Sequence, residues 1–134
     1  LQGAIPTDSL VSRAKELGMD AIAITDMHNL FGAVDFYLEA KKAGIKPIIG
    51  CEVFFAPDGR RVMPQPQNAA TAGQGAQQQR GPRYHHLVLL CKDLAGYRNL
   101  CKMVTQSYID VPPPQKGVPA ARAAVDRELL DQYG

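Results

Sequence analysis

Four residues in this sequence have side chains that could do chemistry: Asp26, His28, Glu52 and His86. Asp26 and His28 share one short turn, Thr25-Asp26-Met27-His28-Asn29. Glu52 closes the run Ile48-Ile49-Gly50-Cys51-Glu52, and His85 and His86 lead into Leu87-Val88-Leu89-Leu90. Carboxylate oxygens and imidazole nitrogens together suit zinc, manganese or iron. Each residue also has a structural reading. Asp26 could cap the helix that follows it. Glu52 could lie exposed on a hairpin arm. A lone histidine in a strand is commonly a hydrogen-bonded structural residue. Strand alternation sends His85 and His86 to opposite faces, so only one of them can reach a given site.

Other chemistries find no support. Gly73-Gln74-Gly75 lies in a low-complexity stretch, without the strand and helix that a phosphate cradle needs. Ser9, Ser12 and Ser107 fall in helical stretches with no nucleophile elbow. Lys41, Lys42, Lys46, Arg60 and Arg61 read as a solvated face, with no interleaved aromatics to stack bases. Fifteen Lys and Arg against thirteen Asp and Glu leave a net charge of +2, which makes no case for a dedicated nucleic-acid or membrane-surface binder. No apolar run approaches the roughly 18 residues of a membrane helix. No signal peptide is expected from the start Leu1-Gln2-Gly3-Ala4-Ile5-Pro6. Cys51, Cys91 and Cys101 lack metal-knuckle spacing and read as reduced, mostly buried thiols of a cytoplasmic protein.

The elements that would position these residues alternate along the chain. Pro6-Thr7-Asp8-Ser9 starts a helix carrying Leu10, Val11, Ala14 and Leu17, and Gly18 stops it. Ala21-Ile22-Ala23-Ile24-Thr25 reads as a buried parallel strand that Asp26 ends. Asn29 can cap a helix running to about Ala43, with Phe31, Val34, Leu38 and Ala40 among its apolar members and Gly44 as its stop. Ile48 to Phe55 is a second strand and His86 to Leu90 a third. Asp93 caps a helix with Leu94, Tyr97, Leu100, Val104 and Tyr108, and a last helix begins near Asp126 and includes Leu129 and Leu130. Residues 62–82 hold six Gln, three Gly, three Pro and no acid, and read as a flexible insertion. The expected organisation is a main unit over 1–110 with that insertion, then a Pro-rich link and the next helix over 111–134. Helix alternating with strand is the grammar of an α/β domain on a parallel sheet. Three strands are few for such a sheet, so the chain reads as an incomplete fold.

These blocks carry a resemblance. Gly3-Ala4-Ile5-Pro6, Ala21 to Asp26, Asn29 to Tyr37, Ala43 to Val53, Tyr84 to Leu90 and Gly96 to Leu100 resemble, in order, the polymerase-and-histidinol-phosphatase (PHP) domain of bacterial DNA polymerase III alpha subunits. Val125 to Leu130 is similar to that family's next helix. The resemblance implies a distorted seven-stranded β/α barrel, of which this chain is the N-terminal portion, and a cleft for up to three metal ions. It places the family's ligands at Glu52 and at His86, with His85 as fallback. The second family motif, Thr-Asp-His-Gly-Asn, here reads Thr25-Asp26-Met27-His28-Asn29, so a thioether stands where a ligand histidine is usual and Asp26 and His28 are the weaker candidates.

Three readings follow. The first is part of a replicative DNA-directed DNA polymerase (a nucleotidyltransferase), with a metal-dependent 3′–5′ exonuclease remnant. The second is a non-catalytic scaffold that docks a proofreading exonuclease subunit. The third is a free-standing PHP phosphoesterase. The resemblance also implies that DNA, deoxynucleotides and replisome subunits are partners of the parent protein, and that its polymerase magnesium ions bind outside this chain.

Overall fold

In a computed structural model, residues 5–63, 83–116, 118 and 120–134 are described. Four helices and three strands follow in the order α1 (Thr7–Glu16), β1 (Ala21–Met27), α2 (Ala33–Ala43), β2 (Lys46–Phe55), β3 (His85–Leu90), α3 (Leu94–Ile109) and α4 (Arg127–Tyr133). The insertion expected at 62–82 lies outside the described residues except for Val62 and Met63.

The sheet order is β1-β2-β3. β1 and β2 are parallel, as read from the sequence. β2 and β3 are antiparallel, which corrects the expectation of a parallel sheet. A short apolar run has no polarity of its own. Direction is set by where the connection delivers the chain, and here no helix separates Phe55 from His85 among the described residues.

The register sorts side chains onto two faces. Ile22, Ile24 and Asp26 lie level with Pro47, Ile49 and Cys51, and Cys51 and Val53 with Leu89 and Leu87. All four helices serve this face. α1 and α2 bury Val11, Ala14, Phe36 and Ala40 with Ile22, Ile24 and Ile49. α3 and α4 bury Leu100, Met103, Val104 and Leu129 with Cys51, Val53 and Val125. The opposite face carries Ala23, Thr25 and Met27, then Ile48, Gly50, Glu52 and Phe54, then His86, Val88 and Leu90. It is open: Val88 and Leu90 are each more than half exposed.

Capping residues behaved as their chemistry requires. Gly18 and Gly44 follow α1 and α2 in left-handed conformation. The Asp93 carboxylate accepts from Gly96 N, and the Asp126 carboxylate from Leu129 N. α2 is the exception. It starts at Ala33 rather than after Asn29, with no side-chain cap at Gly32. Asn29 instead accepts from Phe31 N in a local turn. The helix buries Ala33, Phe36 and Ala40 and leaves Val34 and Leu38 exposed, and Phe31 lies exposed before its start.

Arg60 is a second correction. The sequence pattern places it on a solvated face, yet only 4% of it is exposed. Its guanidinium donates to Asp110 at 2.6 Å, to Asp126 at 2.7 Å and to Glu128 at 2.9 Å, and its backbone N–H also reaches Asp126. Asp110 is the C-cap of α3 and Asp126 the N-cap of α4, so one cation clamps the facing ends of two helices. Burial alone would lower the Arg60 pKa and raise those of both aspartates. The hydrogen bonds and opposite charges override it, so the arginine is raised and Asp110 and Asp126 are lowered.

Arg60→Met leaves Asp126 without a cation and Asp110 and Glu128 with Arg61 alone, and is expected to cost about 3 kcal/mol in urea unfolding at neutral pH. Because the carboxyl pKa values are lowered in the fold, the unfolded chain binds more protons below the ordinary carboxyl range. The clamp's contribution to stability should therefore hold above about pH 5 and fall progressively below it. The fall should be shallower in Arg60→Met. An unchanged acid limb in that variant would show that the clamp is not its source.

Candidate functional site

The parity of β1 and β2 decides which candidates meet. Met27 lies level with Glu52, and Phe54 with His86, all on the helix-free face. Glu52 Oε1 accepts a hydrogen bond from His86 Nδ1. The half-buried carboxylate orients the exposed imidazole through Nδ1. His85 is level with Phe55 and so points to the other face.

Asp26 is one residue out of phase with Glu52 and faces the helices. Its Oδ2 accepts from Gly32 N at 3.0 Å, satisfying the backbone at the entrance to α2. A Cβ on residue 32 would come within 3.0 Å of that same oxygen, which is why glycine suits this approach. The capping reading of Asp26 thus matches the geometry, acting one turn further on than a conventional N-cap.

His28 is turned inward as well. It is 5% exposed and adopts φ 56°, the left-handed region that non-glycine residues rarely enter. Four bonds hold it there. Its N–H donates to Glu52 O at 2.7 Å, and its carbonyl accepts from the Tyr108 hydroxyl at 3.0 Å. Ring Nδ1 accepts from Phe54 N–H, and Nε2 lies 2.9 Å from Ser107 Oγ. The serine hydroxyl is spent on Val104 O at 2.6 Å. This network assigns the proton to Nε2, which donates to Ser107. The imidazole edge packs on Tyr108 and its face stacks near Phe54. Burial holds its pKa below the ordinary 6.5.

The sequence reading missed Ser107, Tyr108 and Phe54 as partners of His28, which lie up to 80 residues away in the chain. The available signal was local: a histidine sits in the motif place where the resembled family has glycine. A residue forced into glycine's conformation needs compensating contacts. Phe54 is also enclosed by Tyr84, by His86 and by the Arg122 guanidinium 5.1 Å above its ring.

These residues do not fit a metal centre. Among the described residues, no three His, Cys, Asp or Glu come together to hold an ion. Asp26 and His28 are spent on backbone and serine, and Met27 offers a thioether, a poor donor for hard or borderline ions. Glu52 and His86 remain a two-residue pair. Burial likewise raises the Cys51 thiol to about 11, so it offers no thiolate at neutral pH.

His28 should titrate below the ordinary 6.5, and its neutral ring should carry the proton on Nε2, read by imidazole nitrogen NMR. A neutral ring protonated on Nδ1 would contradict the assignment. The unfolded chain takes up the proton first, so stability should decline as pH falls through about 6.5. Ser107→Ala strands the Nε2 proton and should cost about 1–2 kcal/mol in urea unfolding.

Comparison with known proteins agrees with this architecture. Residues 1–134 match the PHP domain family. The chain is 42% identical over 133 residues to the DNA polymerase III subunit alpha of Borreliella burgdorferi, covering 99% of this chain and 10% of that protein. It is 38% identical over 136 residues to the subunit of the same name from Aquifex aeolicus, covering 100% and 10%. The corresponding values for Chlamydia pneumoniae are 38% over 127 residues, 92% and 8%. The chain spans about a tenth of the length of these relatives. With a family match over its whole length and a mixed α/β sheet that serves helices on one face only, the chain belongs to the PHP domain family, in the form found in DNA polymerase III alpha subunits.

Proposed function

We propose that this chain is the N-terminal part of the PHP domain of a replicative DNA polymerase, and that it acts in DNA replication as a scaffold rather than as a metal-loaded exonuclease. The observation that carries the scaffold reading is the commitment of the Asp26 and His28 side chains to structural bonds, Asp26 to Gly32 N and His28 to Ser107 and Phe54 N, rather than to Glu52 and His86. The open face with Val88 and Leu90 supports reading the three strands as one sector of a seven-stranded barrel, whose interior this face would line. Polymerase chemistry, with its magnesium ions, DNA and deoxynucleotides, belongs to other parts of the parent chain. A proofreading exonuclease subunit is the partner such a scaffold would serve, in a cytoplasmic replication complex. No described helix is long and apolar enough to cross a membrane.

The exonuclease remnant is kept as a second reading because Glu52 and His86 meet on the open face. A free-standing phosphoesterase has less support, since the relatives above are polymerase subunits about ten times as long as the matched region.

Elemental analysis of the polypeptide extended through its complete PHP domain separates the readings. The expected content of zinc, manganese and iron is well below one equivalent. Met27→His, which places an imidazole level with Glu52, should raise it. Two or three equivalents in the unaltered protein, with 3′–5′ exonuclease activity, would establish the second reading. Unchanged occupancy in Met27→His would show that Met27 is not the missing ligand position.

A further inference from the structure

α2 and α3 lie on the same face of the sheet but pack on different neighbours, α2 on α1 and α3 on α4, each over β2. Packed helices stand about 8–10 Å apart. Here a groove of about 580 Å³ separates them, floored by Pro47, Ile49 and Cys91 and flanked by Val34, Tyr37 and Leu94. A second hollow of about 400 Å³ lies between Leu30, Phe31 and the Cys101–Tyr108 side of α3. The exposed side chains on the banks are large and apolar: Phe31 is 89% exposed, Leu94 62% and Val34 60%. Leu94, Tyr97, Cys101 and Tyr108 recur at helical spacing along one stripe of α3, which is about 21 Å long. That is the length of a four-turn helix.

We infer that this groove is the seat of an amphipathic helix supplied by the same polypeptide beyond Gly134. The inference rests on the polymerase reading above. Two observations favour this occupant. The relatives extend for roughly nine-tenths of their length outside the matched region, and a tethered segment meets its groove at an effective concentration in the millimolar range, ahead of a separate partner with equal contacts. Gly134 also lies on the right side of the fold. Arg60 joins the C-cap of α3 to the N-cap of α4, and Leu129, Leu130 and Tyr133 pack in one cluster with Leu100, Met103 and Val104 of α3, so the chain leaves α4 beside the helix that forms one bank of the groove.

The test uses the full natural polypeptide, purified alone. Single substitutions Leu94→Cys and Val34→Cys place thiols on the two banks, and Lys42→Cys, on exposed helix surface, serves as control. Maleimide labelling is followed site by site by mass spectrometry. The expected result is labelling at least about tenfold slower at Leu94→Cys and Val34→Cys than at Lys42→Cys, unchanged over a hundredfold dilution. Equal rates would mean an open groove and overturn the inference. Protection that fades on dilution would assign the groove to a second copy and overturn it too. A natural polypeptide that ends soon after one barrel would refute the polymerase reading itself, whereas a long polypeptide with an open groove would refute this inference alone.

Discussion

Everything in this fold hangs on β2. Among the described residues it is the only strand paired on both sides, with β1 parallel and β3 antiparallel, and Val125 adds bonds at its far end through Phe54 O and Ala56 N. A central strand must have both rows of backbone groups satisfied, because burial leaves no water to do so. Once both neighbours are in register, parity fixes every side chain. Cys51 and Val53 go to the helices, and Glu52 and Phe54 go to the open face. A slip of one residue would exchange the two sets. The Glu52–His86 pair and the placement of Asp26 on the helix side are therefore one fact seen twice.

The turn after β1 shows how a local departure is absorbed. His28 takes a backbone conformation suited to glycine, and the surrounding structure holds it with bonds from Glu52, Phe54, Ser107 and Tyr108. Left-handed strain for such a residue is on the order of 1 kcal/mol, comparable to a single net hydrogen bond, so several bonds outweigh it comfortably. In exchange, the imidazole pins the end of β1 to α3. A side chain of a type that could bind metal becomes a strut between a strand and a distant helix.

Arg60 does the same work at the edge of the core. Its three carboxylate partners come from the ends of α3 and α4, elements that share no local sequence with it. Buried ion pairs add little net stability compared with apolar packing, but they tolerate few alternative arrangements. The clamp therefore holds the start of α4 against the end of α3. With α4 on α3 and α1 on α2, no helix among the described residues lies between α2 and α3, and the apolar banks of the groove are left uncovered.

The sequence alone determined what depends on neighbours along the chain. Helix stops at Gly18 and Gly44, caps at Asp93 and Asp126, and the strands around Ile22, Ile49 and Val88 all follow from backbone freedom, capping chemistry and apolar runs within a few residues. The ordered blocks also sufficed to mark the family. Tertiary structure decided whatever required knowing which distant residue lies opposite. That covers the antiparallel direction of β3, the burial of Arg60, the stripe of α2 that faces the core, and the separation of Asp26 and His28 from Glu52 and His86. The physical reason is that propensity and capping act over a single turn of chain, whereas strand direction, burial and charge pairing are settled by contacts between residues tens of positions apart.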